Sequence, residues 1–261
     1  MPSFDIRSVD LRAVNSMTKY PPIPTYHALD PRDGGLREEV VEFTGPVTLT
    51  EKVDGTNSRI ILTPDGRYLI GSREELLHAR GDLIANPALG IVDALRGLAE
   101  RLCADAPADR FTVYYLEVYG GKVTGASKHY TDSRRVGHRL FDIAEFDGYA
   151  DLLARSPEQL AAWRDGGGQR WLDERELLAR AKAYGLATVP RLATVDAAEL
   201  PRDLDKTYAF LTDQLPHTLV ALDGVPGRSE GLVLRDADRS VLAKARFQDY
   251  ERSRRRRSGG R

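Results

Sequence analysis

The chain has 261 residues, 41% of them hydrophobic and 30% charged, enough to bury a sizeable core as one large domain or two small ones. Basic and acidic groups nearly cancel, 38 against 39, which excludes a generally basic coat. No apolar run approaches the roughly 18 residues of a membrane span, and Met1-Pro2-Ser3-Phe4-Asp5 lacks the layout of a signal peptide, so a cytoplasmic chain with no membrane partner is expected.

Residues 1–38 mix Pro21, Pro22, Pro24 and Pro31 with charged side chains and read as an extended lead-in rather than a packed helix. Val47-Thr48-Leu49-Thr50 predicts a strand that runs into Glu51-Lys52-Val53-Asp54-Gly55-Thr56-Asn57. Ser58–Thr63 and Tyr68–Gly71, separated by Pro64-Asp65-Gly66, continue it as an antiparallel meander with Lys52 on the first turn. Leu89, Val92, Leu95, Leu98 and Leu102 share one helical face, which predicts a core-facing helix over 88–103 starting at Asn86-Pro87.

Phe111–Tyr119 is rich in β-branched and aromatic residues and reads as a buried strand. It holds Glu117, a carboxylate that is costly there without a partner. Arg139–Ala144 is a second such strand, with Asp142 in an apolar setting. Helices are predicted over 149–164 and 173–184, linked by Gly166-Gly167-Gly168, and a short strand over Leu186–Leu192, interrupted by Pro190. Ser229–Arg235 and Ser240–Phe247 form a hairpin pair. Strands, helices and strands again, without regular βαβ alternation, argue for an α+β fold on antiparallel sheets.

Glu251–Arg261 holds six arginines and one glutamate, so residues 1–250 carry 32 basic and 38 acidic groups, a net of −6. This stretch reads either as a disordered basic tail or as an arm for phosphates. The expected organisation is a lead-in over 1–38, one domain over 39–250, the tail over 251–261, and no separate C-terminal domain. Cys103 stands alone, without an internal disulfide, and His27, His78, His129, His138 and His217 are dispersed without metal-ligand spacing.

Lys52 is a candidate nucleophile, because a lysine held among carboxylates and glycine suits covalent chemistry. An attack on phosphorus needs cations for the phosphates and a divalent metal. Lys244 and Arg246, at i and i+2 on a strand, point to one face and supply two positive charges. Asp54, Glu117 and Glu230 offer oxygens suited to hydrated magnesium, and Phe141 a flat surface for a base. Lys128, Arg134, Arg135 and Arg139 surround His129-Tyr130 and read as an RNA groove or a solvated loop. Five of the site residues also have a plainer reading. Lys52 fits a surface turn beside Asp54-Gly55, Glu117 and Glu230 fit satisfied strand carboxylates, Phe141 fits the core, and Arg73 fits a pair with Glu74 or Glu75.

Taken in order, the motifs resemble the covalent nucleotidyltransferase superfamily of ATP-dependent ligases and capping enzymes, and within it the RNA ligases of the double-strand nick-sealing type. Glu51–Asn57 is similar to the first motif, Ser72-Arg73 to the next, Tyr115-Leu116-Glu117-Val118-Tyr119-Gly120 to the third, and Leu140-Phe141-Asp142-Ile143 to its successor. Ser229-Glu230-Gly231-Leu232-Val233 resembles the fourth and Leu242-Ala243-Lys244-Ala245-Arg246 the fifth, with Lys19–Pro24 similar to the lead-in. Asn57 stands where DNA ligases and capping enzymes usually carry Arg, which favours RNA.

The resemblance implies a ligase-type adenylyltransferase domain that uses ATP and Mg2+, with Mn2+ as an alternative. AMP would attach to Lys52 and pass to an RNA 5′-phosphate, and a 3′-hydroxyl would then displace it. It also implies roles: Glu51 at the adenine edge, Asn57 and Glu117 at the ribose, Phe141 on the ring face, and Arg73 on phosphate or ribose. Lys244 and Arg246 would bind phosphates, while Asp54, Glu117 and Glu230 hold metal-bound waters; Glu230 thereby also lines the nucleotide. Arg246 departs from the usual Lys, changing a point charge to a fork. The alternatives are an ATP-dependent DNA ligase, a GTP-using capping-type enzyme, and an adenylylating RNA-end-binding subunit that seals with an accessory protein.

Overall fold

The computed structural model describes residues 4–259. The chain divides into two compact units, Met1–Pro22 with Gly55–Ser127 and Arg134–Thr188, and Ile23–Asp54 with Lys128–Ser133 and Val189–Arg261. In chain order the first elements are α1 (Leu11–Met17), β1 (His27–Leu29), β2 (Leu36–Val40), β3 (Pro46–Lys52), β4 (Thr56–Leu62), β5 (Tyr68–Ser72), β6 (Leu76–Ala79) and β7 (Asp82–Leu83). They are followed by α2 (Ile91–Cys103), β8 (Phe111–Gly120), β9 (Val136–Phe146), α3 (Tyr149–Leu153), α4 (Pro157–Asp165), β10 (Arg170–Trp171) and α5 (Glu174–Ala183). The last are β11 (Arg191–Asp196), α6 (Leu204–Gln214), β12 (Gly231–Asp236), β13 (Leu242–Arg246) and α7 (Phe247–Gly259).

The first unit is built on a seven-stranded antiparallel sheet in the order β10-β9-β8-β4-β5-β6-β7. Both faces are covered, so β8 is apolar over most of its length and β4 is so over Ile60–Leu62. Ile60, Leu62, Tyr114, Leu116 and Val118 pack with Val92, Leu95, Leu98 and Leu102 of α2, which belong to the predicted stripe, and with Ile91, which does not. Ile61, Val113 and Tyr115, on the other face, pack with Val14 and Met17 of α1 and Leu160 of α4. The expectation of an extended lead-in therefore fails over Leu11–Met17. Asp10 caps that helix by accepting from the Arg12 amide, and no helix-breaking proline follows it before Pro21.

The second unit holds the β1-β2 ribbon and a four-stranded antiparallel sheet in the order β11-β3-β12-β13. Val47, Leu49, Leu232, Leu234, Ala243 and Ala245 form its inner face, against Leu204 and Leu211 of α6 and Phe247 and Tyr250 of α7. The β12-β13 hairpin matches the sequence reading. Lys52 does not sit on the turn of a meander, however. Its strand β3 pairs with β11 and β12, while β4 pairs with β5 and β8 in the other sheet. The strand expected over Leu186–Leu192 forms after Pro190 instead, where every residue has an amide to donate.

Glu251–Gly259, expected as a disordered tail, continues α7 as helix; Gly260 and Arg261 lie outside the described residues. Tyr250 and Ser253 are buried on its inner side, which anchors the turns that carry the arginines. Among the described residues, no helix is long and apolar enough to cross a membrane.

Candidate active site

Alternation along β3 sends Val47, Leu49 and Glu51 to the core face and Thr48, Thr50 and Lys52 to the other. The same rule places Lys244 and Arg246 opposite the buried Ala243 and Ala245 of β13. The ladder then sets these side chains in rows, with Lys52 opposite Gly231 and Gly231 opposite Arg246, and Thr50, Val233 and Lys244 in the next row. One face of the four-stranded sheet thus gathers the candidate nucleophile and both predicted phosphate cations. Gly231 is required at the centre of the row. Its φ is +153°, and a Cβ there would meet the Ala245 carbonyl oxygen at 2.1 Å.

The Lys52 ammonium donates to a carboxylate oxygen of Glu230, and both side chains are about one-fifth exposed. Arg246 approaches the other oxygen of Glu230 at 3.8 Å. Its guanidinium is oriented by Asp249, which accepts from Nε at 2.7 Å and from a terminal nitrogen at 3.0 Å. Asp249 is 1% exposed and also accepts from Arg252 at 2.8 Å. The β13 backbone is fixed from the side by the lead-in, since the Lys244 amide donates to Pro24 at 2.9 Å and its carbonyl accepts from Tyr26 at 2.8 Å.

Beyond Lys52 the chain turns at Val53-Asp54. The Asp54 amide donates to the hydroxyl of Tyr130 at 2.7 Å, and that ring is fully buried. Tyr130 thus supports the turn instead of lining an exposed groove, while Lys128 is exposed. Burial, and then the negative charge of Glu230, hold the Asp54 carboxyl above the ordinary aspartate range, against the positive charges of Lys52, His129 and Arg246. A carboxylate pair that is mutually unfavourable suits a divalent cation with oxygen ligands. Magnesium typically takes one or two carboxylates and keeps several waters. Among the described residues no group of three or more His, Cys, Asp or Glu side chains is arranged to hold a metal. Asp54, Glu117 and Glu230 are expected to hold a metal through water, which needs no such direct cage.

Glu51 is 1% exposed, and its two carboxylate oxygens accept from the Thr218 hydroxyl at 2.5 Å and the Leu219 amide at 2.9 Å. The carboxylate expected at the adenine edge is engaged internally and anchors residues 218–219. Asp223 ties the same region to residues 131–133, accepting from the Thr131 hydroxyl at 3.0 Å, the Asp132 amide at 2.6 Å and the Ser133 hydroxyl. Sequence reasoning missed Tyr130, Thr218, Asp223 and Asp249 as supports. Only Asp223-Gly224, a turn pair, carried a local signal.

In the first unit, Asn57 and Glu117 are direct cross-strand partners on β4 and β8. Glu117 accepts from the Gly55 amide at 3.1 Å. Gly55 cannot carry a side chain, because a Cβ would lie 2.3 Å from the Val118 carbonyl oxygen. Phe141 is the extra residue of a bulge, since Tyr115 pairs with Asp142 and Leu116 with Leu140. Its half-buried ring lies edge-on to Tyr20 at 5.1 Å, whose hydroxyl donates to buried Asp142 at 2.9 Å. Arg73 is exposed and pairs with Glu74 at 3.5 Å.

An RNA ligase family model matches residues 45–250. The fold is similar to an apo mutant of the Naegleria gruberi RNA ligase, with TM-score 0.55 and 15% identity over 92% of this chain and 62% of that one. It is similar to an archaeal ATP-dependent RNA ligase, with TM-score 0.52 and 17% identity over 89% of this chain and 49% of that one. A second Naegleria gruberi mutant, with ATP and Mn, gives TM-score 0.52 and 15% identity over 90% and 63%. The chain thus spans between about half and two thirds of the length of these structures. No curated protein matches it. The family match covers most of the chain, including both the lysine strand and the β12-β13 hairpin, and the chain belongs to the RNA ligase family.

Proposed function

We propose that this chain is an ATP-dependent RNA ligase of the double-strand nick-sealing type that works through a covalent AMP on Lys52. The observation that carries the reading is the row of Lys52, Gly231 and Arg246, with Glu230 on the Lys52 ammonium. The lysine nitrogen attacks the α-phosphorus of ATP, a nitrogen–phosphorus bond forms, and the bond to the β-phosphate oxygen breaks. Pyrophosphate leaves with that electron pair, and the lysine sheds its proton. Glu230 is the hydrogen-bonded group along that path. Lys244 and Arg246 neutralise the phosphates, and Asp249 fixes the direction of the Arg246 fork.

Magnesium, held through water by Asp54, Glu117 and Glu230 as the resemblance implies, would supply charge neutralisation at the phosphates. Asn57 and Glu117 contact the ribose region, Phe141 the base and Arg73 a phosphate or the ribose, as the resemblance implies. The AMP then passes to an RNA 5′-phosphate, and a 3′-hydroxyl displaces it.

The test is incubation of the chain with labelled ATP or GTP and Mg2+, followed by 5′-phosphorylated nicked duplexes with RNA or DNA at the 3′-hydroxyl end. ATP labelling, its loss in Lys52→Ala, and sealing of RNA nicks are expected. Labelling retained in Lys52→Ala refutes the nucleophile. Preference for GTP refutes the ligase, preference for DNA ends refutes the substrate, and sealing only with an added protein refutes autonomous ligation.

A further inference from the structure

Helix α7 carries arginine at 252, 254, 255, 256 and 257. Its inner side is anchored to two elements of the second unit. Toward residues 33–36, the buried Ser253 hydroxyl accepts from the Leu36 amide at 2.9 Å, Arg252 reaches the Gly34 carbonyl at 3.0 Å, and Arg256 the Asp33 carbonyl at 2.7 Å. Toward α6, Asp205 takes Arg254 at 3.1 Å and Arg257 at 3.4 Å, and Arg254 lies over the Tyr208 ring at 4.7 Å. The arginine run, free to read as a floppy tail in the sequence, is a folded array of cations.

That array is available to an anion. The side chains of Arg254, Arg256 and Arg257 remain 45–48% exposed in their pairs. A guanidinium has five donors, and a single carboxylate engages only part of them. Exposed ion pairs are weak enough for a phosphate oxygen to join or replace the carboxylate. Arg255 is exposed and makes no hydrogen bond or ion pair among the described residues; its charge helps hold the Glu251 carboxyl below the ordinary range. The remaining residues of the chain carry net negative charge, so α7 is a cationic stretch on an otherwise acidic chain. A lipid surface fits less well. The apolar residues of α7, Phe247 and Tyr250, are 5% and 2% exposed and committed to the core, leaving none to enter a bilayer.

We propose that α7, through the exposed guanidinium groups of Arg254, Arg255 and Arg257, docks the phosphate backbone of the RNA. This rests on the RNA ligase reading and adds the surface that grips the polymer.

The experiment measures binding of the full chain to a nicked RNA duplex against salt concentration. For Arg254→Ala, Arg255→Ala and Arg257→Ala combined, the slope of log K against log salt should fall by about 2 to 3, near 0.9 per lost phosphate contact. The matching lysine triple should restore the slope, since a backbone contact counts charge. A charge-matched control at exposed sites of the first unit, Arg96→Ala, Arg155→Ala and Arg175→Ala, should leave it unchanged. An unchanged slope in the α7 alanine triple, an equal fall in the control, or failure of the lysine triple overturns the proposal. So does α7-dependent binding to phosphatidylserine vesicles without binding to RNA. Self-labelling of the wild-type chain without RNA is read separately: its absence removes the ligase reading, whereas labelling with an unchanged slope removes only the docking surface.

Discussion

Truncating Glu51 separates an anchoring role from a nucleotide contact. Glu51→Ala deletes a carboxylate that is 1% exposed and leaves the Thr218 hydroxyl and Leu219 amide without their acceptors, bonds of 2.5 and 2.9 Å. Hydrogen bonds to a charged group are worth about 1.5–3 kcal/mol each, and the removed desolvation cost of the carboxylate offsets part of the loss. The expected net destabilisation is about 3 kcal/mol, which lowers the urea midpoint by roughly 1 M at an m-value of about 2–3 kcal/mol/M. Glu51→Gln should cost only about 1 kcal/mol, because its amide oxygen accepts from Leu219 and the Thr218 hydroxyl rotates to accept from the amide nitrogen. Urea unfolding followed by circular dichroism, without nucleotide, reads both variants. Equal midpoints for Ala and Gln, or an Ala midpoint within about 0.3 M of wild type, would refute the anchoring argument.

Three further outcomes are expected. Asp54 has a raised folded pKa, so its contribution to stability is full below the ordinary aspartate value and lost as pH rises through the folded value; Asp54→Asn should be more stable than wild type at neutral pH, with a flatter stability profile across that window and weaker Mg2+-dependent labelling. A pH series of thermal melts with parallel labelling checks this. Gly231→Ala should lose about 3 kcal/mol from strain and the clash with Ala245, seen as a lower urea midpoint. Asp249→Asn weakens the fork that aims Arg246 and the pair with Arg252; a loss of about 2–3 kcal/mol is expected, together with a higher KM for ATP in self-labelling.

The candidate site was legible in outline because its chemistry is written in short ordered motifs. Lys52, Glu230, Lys244 and Arg246 were identified from residue type and spacing, and the period of two along a strand already put Lys244 and Arg246 on one face. The same period applied to β3 shows why Glu51 and Lys52 diverge, one into the core and one out of it. Neighbours in sequence there are on opposite sides of a sheet. The supports were not legible, because Tyr130 reaches Asp54 across 76 positions and Thr218 reaches Glu51 across 167. Nothing local marks either contact.

By itself the sequence determined the α2 stripe, the buried strands β8 and β9, the β12-β13 hairpin and the family, since each depends on periodicity or ordered residue types within a short window. Only tertiary structure decided that β3 pairs with β11 and β12 rather than with β4, and that the arginine run folds as α7. Strand pairing is settled by which partner completes a core, and a polar arginine helix is stable only when its few apolar residues find one. For α7 those are Phe247 and Tyr250 in the core shared with Leu49 and Leu232, contacts that no window of local sequence contains.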